Sequence, residues 1–146
     1  MKNTNLVIFA ISAFVFMTSC SKTEKNNDLE VPNEVIAVVD TYMDAYKIGA
    51  EESVNYAHFE SEFRRQAYVN SKDRIFDYAI ESCEKINDYL FAFTILLQTK
   101  QDADHYLRVY NFVAKIDDTW YYINGVGNIP SELKTGLDEE KYTYGA

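Results

Sequence analysis

The sequence predicts one α+β domain, in which two or three N-terminal helices pack on a curved four-stranded antiparallel meander. Two patterns predict it. Between Pro32 and Val69 the apolar residues recur every three or four positions, as on one face of a helix; between Asp77 and Val126 they alternate with period two in runs broken by short polar turns. Composition agrees: 47% of the 146 residues are hydrophobic and 15% are aromatic, mostly Tyr and Phe, which suits a sheet-rich core with half-polar tips. The length excludes a second ordinary domain, and the apolar content excludes disorder. A net charge of −9, with no basic cluster larger than Arg64-Arg65, leaves no footprint for a phosphate backbone and excludes nucleic acid as a partner.

The chain opens with a short polar stretch, Met1 to Asn5, followed by an apolar run from Leu6 to Met17 and the small residues Thr18 and Ser19 before Cys20. The apolar run is well short of the ~20 residues that cross a bilayer, so residues 1–19 read as a secretory signal peptide. Met17-Thr18-Ser19-Cys20 resembles the lipobox of bacterial lipoproteins, with Met17 where Leu is usual. The resemblance implies a lipidated Cys20 and a protein held on the extracytoplasmic side of the bacterial cell membrane or outer membrane. Cys83 is then left without a disulfide partner, and the core must hold itself together. Residues 21–31 (SKTEKNNDLEV) are polar and unpatterned, so residues 20–31 read as the lipidated Cys and a flexible tether, spanning about 18 Å.

The domain proper is expected over residues 32–130. Val35, Val38, Val39, Tyr42 and Tyr46 place a first helix at 33–48, ended by Gly49. Asp40 and Asp44 fall on the side away from Tyr42 and read as a solvated face rather than a catalytic pair. Tyr56, Phe59, Phe63 and Ala67 form the stripe of a second helical stretch over 50–69, broken near His58. Ser71-Lys72-Asp73 makes the turn into the sheet. Strands are expected at Asp77–Ile86, Tyr89–Thr99, Tyr106–Ile116 and Thr119–Val126, and turns this short force antiparallel neighbours. Gly125-Val126-Gly127 reads as an exit bend, since no third glycine or Lys-Ser/Thr follows to make a phosphate loop. Residues 131–146 read as a C-terminal tail with an acidic, frayed end.

Both faces of the two middle strands are apolar. Phe91, Phe93 and Ile95 oppose Ala92 and Leu96, and Tyr110 and Phe112 oppose Leu107, Val109 and Val113. Helices can cover one face only. The other requires a partner, a curled sheet or the C-terminal segment, and a homodimer through the sheet is the simplest of these.

The order helix, helix, curved meander, closed by the hairpin Phe112 to Ile123 (FVAKIDDTWYYI), resembles the nuclear-transport-factor-2-like superfamily, also called SnoaL-like or ketosteroid-isomerase-like. The hairpin of that family commonly carries Asp-Gly before its Trp; this chain has Asp118 in the Gly position and Trp120. The resemblance covers residues 32–130 and implies a cone with a pocket between the first helix and the sheet, and frequent dimers. It implies no single function.

An isomerase of that shape needs a carboxylate base in an apolar pocket. The last three strands carry none between their turns, which leaves Glu81 and Glu84 on opposite faces of the first strand, and of these Glu84, expected to share a face with Tyr78, Ile80 and Ile86, is placed to reach a pocket. An edge charge explains it equally well. Cys83 lacks a recognisable His partner and reads as a small core residue, and Asp102, Asp104 and His105 match neither a calcium nor a zinc spacing. No catalytic residue, metal ligand or cofactor is therefore assigned. Tyr42, Tyr46, Phe93, Tyr110, Trp120 and Tyr122 read first as core and second as the lining of a ligand cavity. Arg108, between Tyr106 and Tyr110, reads as a surface guanidinium or as a clamp for an anionic ligand. The expectation is a lipid-anchored, non-catalytic binding or interaction module of the bacterial envelope whose partner is a second copy, an envelope protein or a small ligand. The alternative is a small-molecule-binding protein or degenerate enzyme that uses the cone pocket.

Overall fold

The computed structural model describes residues 31–99 and 104–143; the signal peptide, Cys20, the tether up to Glu30, and Asp102 lie outside them. Helix α1 (Asn33–Ile48) starts after Pro32, whose carbonyl accepts from the Val35 N–H, and ends where the Gly49 N–H reaches Ala45 O. It buries Val35, Val39, Tyr42 and Met43 on the stripe expected of it. Its opposite side is not uniformly wet. Asp44 is exposed, but Asp40 accepts a 2.7 Å hydrogen bond from the Tyr78 hydroxyl.

The second helical stretch is in two pieces. Helix α2 (Ala50–Ser53) gives way to a 3-10 turn at Val54–Tyr56 and the short strand β1 (Ala57–His58), after which α3 (Glu62–Ser71) begins afresh. Ser61 caps α3, its Oγ accepting from the Arg64 N–H. The break resets the helical phase, which is why the expected stripe fails. Phe63 is 83% exposed and Ala67 also faces water, while Tyr68 and Val69 turn inward.

Strands β2 (Ile75–Asn87), β3 (Leu90–Thr99), β4 (Leu107–Ile116) and β5 (Thr119–Ile123) form the expected antiparallel meander. The sheet nevertheless has five strands, in the order β1-β5-β4-β3-β2, because β1 pairs parallel to β5. Two residues are too few for an alternation to reveal. In β2, Ile80 faces Ile95 while Ser82 faces Thr94, so Glu81 is an extra residue. Such a bulge bends its strand and reverses the face of everything beyond it. Tyr78 and Ile80 therefore pack toward the helices, and Glu84, opposite Ala92, lies on the other face, contrary to the shared face that strict alternation gives. The β4–β5 turn places Asp117 and Asp118 at φ 48° and 62°, the two left-handed residues of a type I′ hairpin.

The core has two layers. On the helix side, Val35, Val39, Tyr42 and Met43 meet Phe91, Phe93, Ile95, Val109, Val113 and Tyr122. On the outer side, Leu90, Ala92, Phe112, Ala114 and Ile123 are covered by Ile129 and Tyr142, with Val126, Leu133 and Leu137 packed around them. The cover of the second face is thus the C-terminal segment. Residues 131–143 are docked rather than frayed: the Asn87 Nδ2 donates to the carbonyls of Leu133 and Thr135 at 3.0 and 2.9 Å, and the Tyr142 hydroxyl donates to Glu84 at 2.6 Å.

Candidate functional site: a cavity between the first helix and the sheet

At one end of the helix-side layer the elements diverge and leave a cavity of about 570 Å³. Helix α1 supplies Tyr42 and Met43 and, one turn on, Tyr46. The sheet supplies alternate residues from its inner face: Leu97 and Thr99 from β3, Leu107, Val109 and Asn111 from β4, and Tyr122 from β5. The connection from α3 to β2 adds Lys72, Asp73 and Arg74, β2 adds Ile75, and Asn124 joins from just after β5. The first three of these and Leu107 are exposed and form the mouth.

The aromatic wall is rigid. Tyr42 stacks on Tyr122 with ring centroids 3.7 Å apart and planes at 8°. Behind it the hydroxyls of Tyr42 and Tyr68 are 2.6 Å apart, Tyr68 lies 2.6 Å from the Ser53 Oγ, and the Tyr46 ring lies 5.8 Å from that of Tyr68. A phenol offers one donor and two acceptor sites, and its two hydroxyl partners make Tyr68 the hub of the cluster. Burial, reinforced by the neighbouring phenols, raises the Tyr42 pKa well above the ordinary tyrosine range; burial also raises that of Tyr68, against the hydrogen bonds that lower it. Both stay protonated at neutral pH and act as hydrogen-bonding groups.

Asn111 is the polar residue set into the apolar inner face of β4, and it is 2% exposed. Its Oδ1 accepts the Gly125 N–H at 3.1 Å, which fixes the amide with Nδ2 as the remaining donor. No buried side-chain nitrogen or oxygen among the described residues lacks a partner, so Nδ2, which bonds no described residue, is open to the cavity that Asn111 lines. At the mouth, Lys72 and Arg74 form no ion pair with any described residue; the Arg74 guanidinium lies 5.4 Å from the Phe76 ring.

The residues singled out from sequence are divided by the sheet. Tyr42, Tyr46 and Tyr122 meet at the cavity, whereas Phe93 is buried in the layer beyond its wall. Trp120 lines a separate groove of about 310 Å³ between α1 and β5, with its Nε1 donating to Glu34 at 3.1 Å. Tyr110 and Arg108 are on the outer face. Tyr110 meets Tyr142 edge-on, and the Arg108 Nη2 bonds the Glu81 Oε1 at 2.6 Å, so this guanidinium is engaged by a carboxylate and is no part of the cavity. Sequence reasoning passed over Asn111, Lys72, Arg74, Tyr68 and Ser53. Asn111 alone carried a readable signal, a polar residue at an inward position between Val109 and Val113.

The cavity's one carboxylate among the described residues is Asp73, at the mouth. Glu84 sits on the outer face, where Lys141 and then Tyr142 hold its carboxyl below the ordinary range. Burial pushes the half-buried Cys83 thiol up to about 12, which suits a core residue and not a nucleophile.

No family model and no curated protein matches the chain. Among solved structures it is similar to a Campylobacter jejuni protein named as an NTF2-like transpeptidase, at 15% identity and a TM-score of 0.41 over 64% of this chain and 98% of that one.

Proposed function

We propose that this chain is a lipid-anchored binding module of the bacterial cell envelope, built as a nuclear-transport-factor-2-like cone, that takes a small molecule between α1 and the sheet. The observation that carries the binding role is Asn111, a buried amide whose Nδ2 is left as a donor at a cavity of about 570 Å³. Among the described residues no buried side-chain nitrogen or oxygen lacks a partner, so Nδ2 is open to the cavity, where a ligand acceptor can replace the water it would otherwise bond. The volume falls in the range of pockets that enclose small ligands, and the walls combine apolar surface with a few fixed polar groups. The one carboxylate of the described lining, Asp73, stands exposed at the mouth and not beside the buried tyrosines, which favours binding over catalysis. The lipobox-like segment ending at Cys20 supports the address, and the order of helices and strands supports the cone.

Calorimetric titration of the full-length chain with 2-naphthoate and 2-naphthamide tests the site. At least one should bind at 1:1 stoichiometry, and Leu107→Trp, a change at an exposed mouth position, should abolish that binding without lowering Tm by more than a few degrees. If neither probe binds at millimolar concentration, the cavity is not a ligand site. The address is tested separately: Cys20→Ser should leave the chain unprocessed or release it from membranes, and unchanged processing and membrane association would contradict the anchor.

A further inference from the structure

We propose that the cavity selects an organic anion with an apolar body, its charged group held at the mouth by Lys72 and Arg74 and an acceptor oxygen at its inner end bound by the Asn111 Nδ2. This rests on the reading of the cavity as a ligand site and assigns the ligand's chemical class.

The walls dictate the body of the ligand. Met43, Ile75, Leu97 and Val109 with the Tyr42–Tyr122 stack offer no charge, so a flat or branched hydrocarbon fits between them. The groups with fixed hydrogen-bonding sense dictate its ends. The Asn111 Nδ2 is a donor because Oδ1 is committed to Gly125, and ammonium and guanidinium groups are donors only. A complementary ligand is therefore rich in acceptors, and two cations at the mouth against the single carboxylate of Asp73 favour a negative end there. In a chain of net charge −9 most of the surface repels anions, and Glu51 and Glu52 border Lys72 in the adjoining groove, so the attraction at the mouth is one of direct contact with Lys72 and Arg74.

The mouth is also held in place. Lys72 adopts φ 54° as the cap of α3, its N–H donating to Val69 O. The Asp73 N–H donates to the Ser71 Oγ at 3.2 Å, and the Asp73 carbonyl accepts the Ala50 N–H at 2.9 Å. The backbone carrying both cations is thus tied to α2 and α3 before any ligand arrives, which lowers the ordering cost of binding. Arg74, packed on Phe76, presents a planar fork suited to a carboxylate.

The experiment compares 2-naphthoate with its neutral isostere 2-naphthamide by calorimetry on the full-length chain and on the Lys72→Gln/Arg74→Gln double variant, whose changes are confined to exposed side chains. The wild type should bind the naphthoate about tenfold more tightly or better, as expected for a charge-assisted contact. The double variant should bind both about equally, with the affinity for naphthamide unchanged. Equal affinities in the wild type would overturn the anion assignment while leaving the cavity a ligand site, and a preference that survives in the double variant would overturn the role of Lys72 and Arg74. Absence of binding by either probe would overturn both readings together.

Discussion

The Asn111 carboxamide accepts the Gly125 N–H at 3.1 Å, so the bend that leaves β5 decides which way a buried amide faces the cavity. Gly125 has φ 77° and ψ 155°, a region open essentially to glycine, and a Cβ there would meet nothing within 4 Å. The constraint is one of backbone conformation and not of space. Gly125→Ala should cost about 1–3 kcal/mol in thermal or chemical unfolding and weaken 2-naphthoate binding several-fold as the N–H moves away from Oδ1. An alanine variant with wild-type stability and affinity would show that the bend does not set the amide.

Tyr68 is the hub of the hydroxyls behind the cavity wall. Tyr68→Phe removes one oxygen and leaves the Ser53 hydroxyl, on a residue with 0% exposure, without that partner and Tyr42 without its own. Loss of about 1–3 kcal/mol of stability is expected, because the stranded groups stay buried. A change of under about 0.5 kcal/mol in denaturant unfolding would mean that water replaces the missing hydroxyl.

What the sequence made legible follows from where periodicity persists. Helix α1 and strands β2 to β5 lie close to their expected places because the apolar periodicity of each marks the element even where its phase slips. The face assignments fail where the phase is reset: at the restart of α3, which exposes Phe63, and at the Glu81 bulge, which moves Glu84 to the outer face. A single inserted residue leaves no compositional mark. The aromatic set was visible as a group, but only the parity of β4 separates Tyr110 and Arg108 from Asn111. Tyr68, Lys72 and Arg74 reach the site because α3 and the connection after it pack on α2, with Tyr68 touching Tyr42 of α1, a tertiary relation that no local spacing encodes.

The β4–β5 hairpin carries a residue out of keeping with its turn. Asp118 has φ 62° where glycine is the favoured occupant, and its pairing with Lys115 at 3.6 Å is fully solvated on the Asp side. Such exposed pairs contribute little, whereas the left-handed conformation costs a side-chain-bearing residue about 1 kcal/mol. Asp118→Gly should therefore raise stability by about 0.5–1 kcal/mol and leave probe binding unchanged. Destabilisation in the same measurement would contradict the type I′ assignment.

The C-terminal cover of the outer face should loosen in acid. Lys141 first and Tyr142 second lower the folded-state pKa of Glu84, so its contribution is complete above the ordinary carboxylate range and is lost as pH falls through that range to the lowered value. Amide hydrogen exchange over residues 131–143, corrected for the intrinsic pH dependence, should accelerate relative to the β3 and β4 core between pH 6 and pH 3.5, pH values chosen to bracket the carboxylate titration. Glu84→Gln should show faster exchange already at the upper pH and a smaller change on acidification. Exchange in the variant that matches the wild type at both pH values would remove Glu84 from the latch.

The most direct test of a ligand site between α1 and the sheet is a crystal structure of the full-length chain with 2-naphthoate. The account predicts the naphthalene ring against the Tyr42–Tyr122 wall, with its carboxylate at hydrogen-bonding distance from Lys72 or Arg74. A cavity closed by its own side chains, or a probe seated only on the outer face, would contradict it.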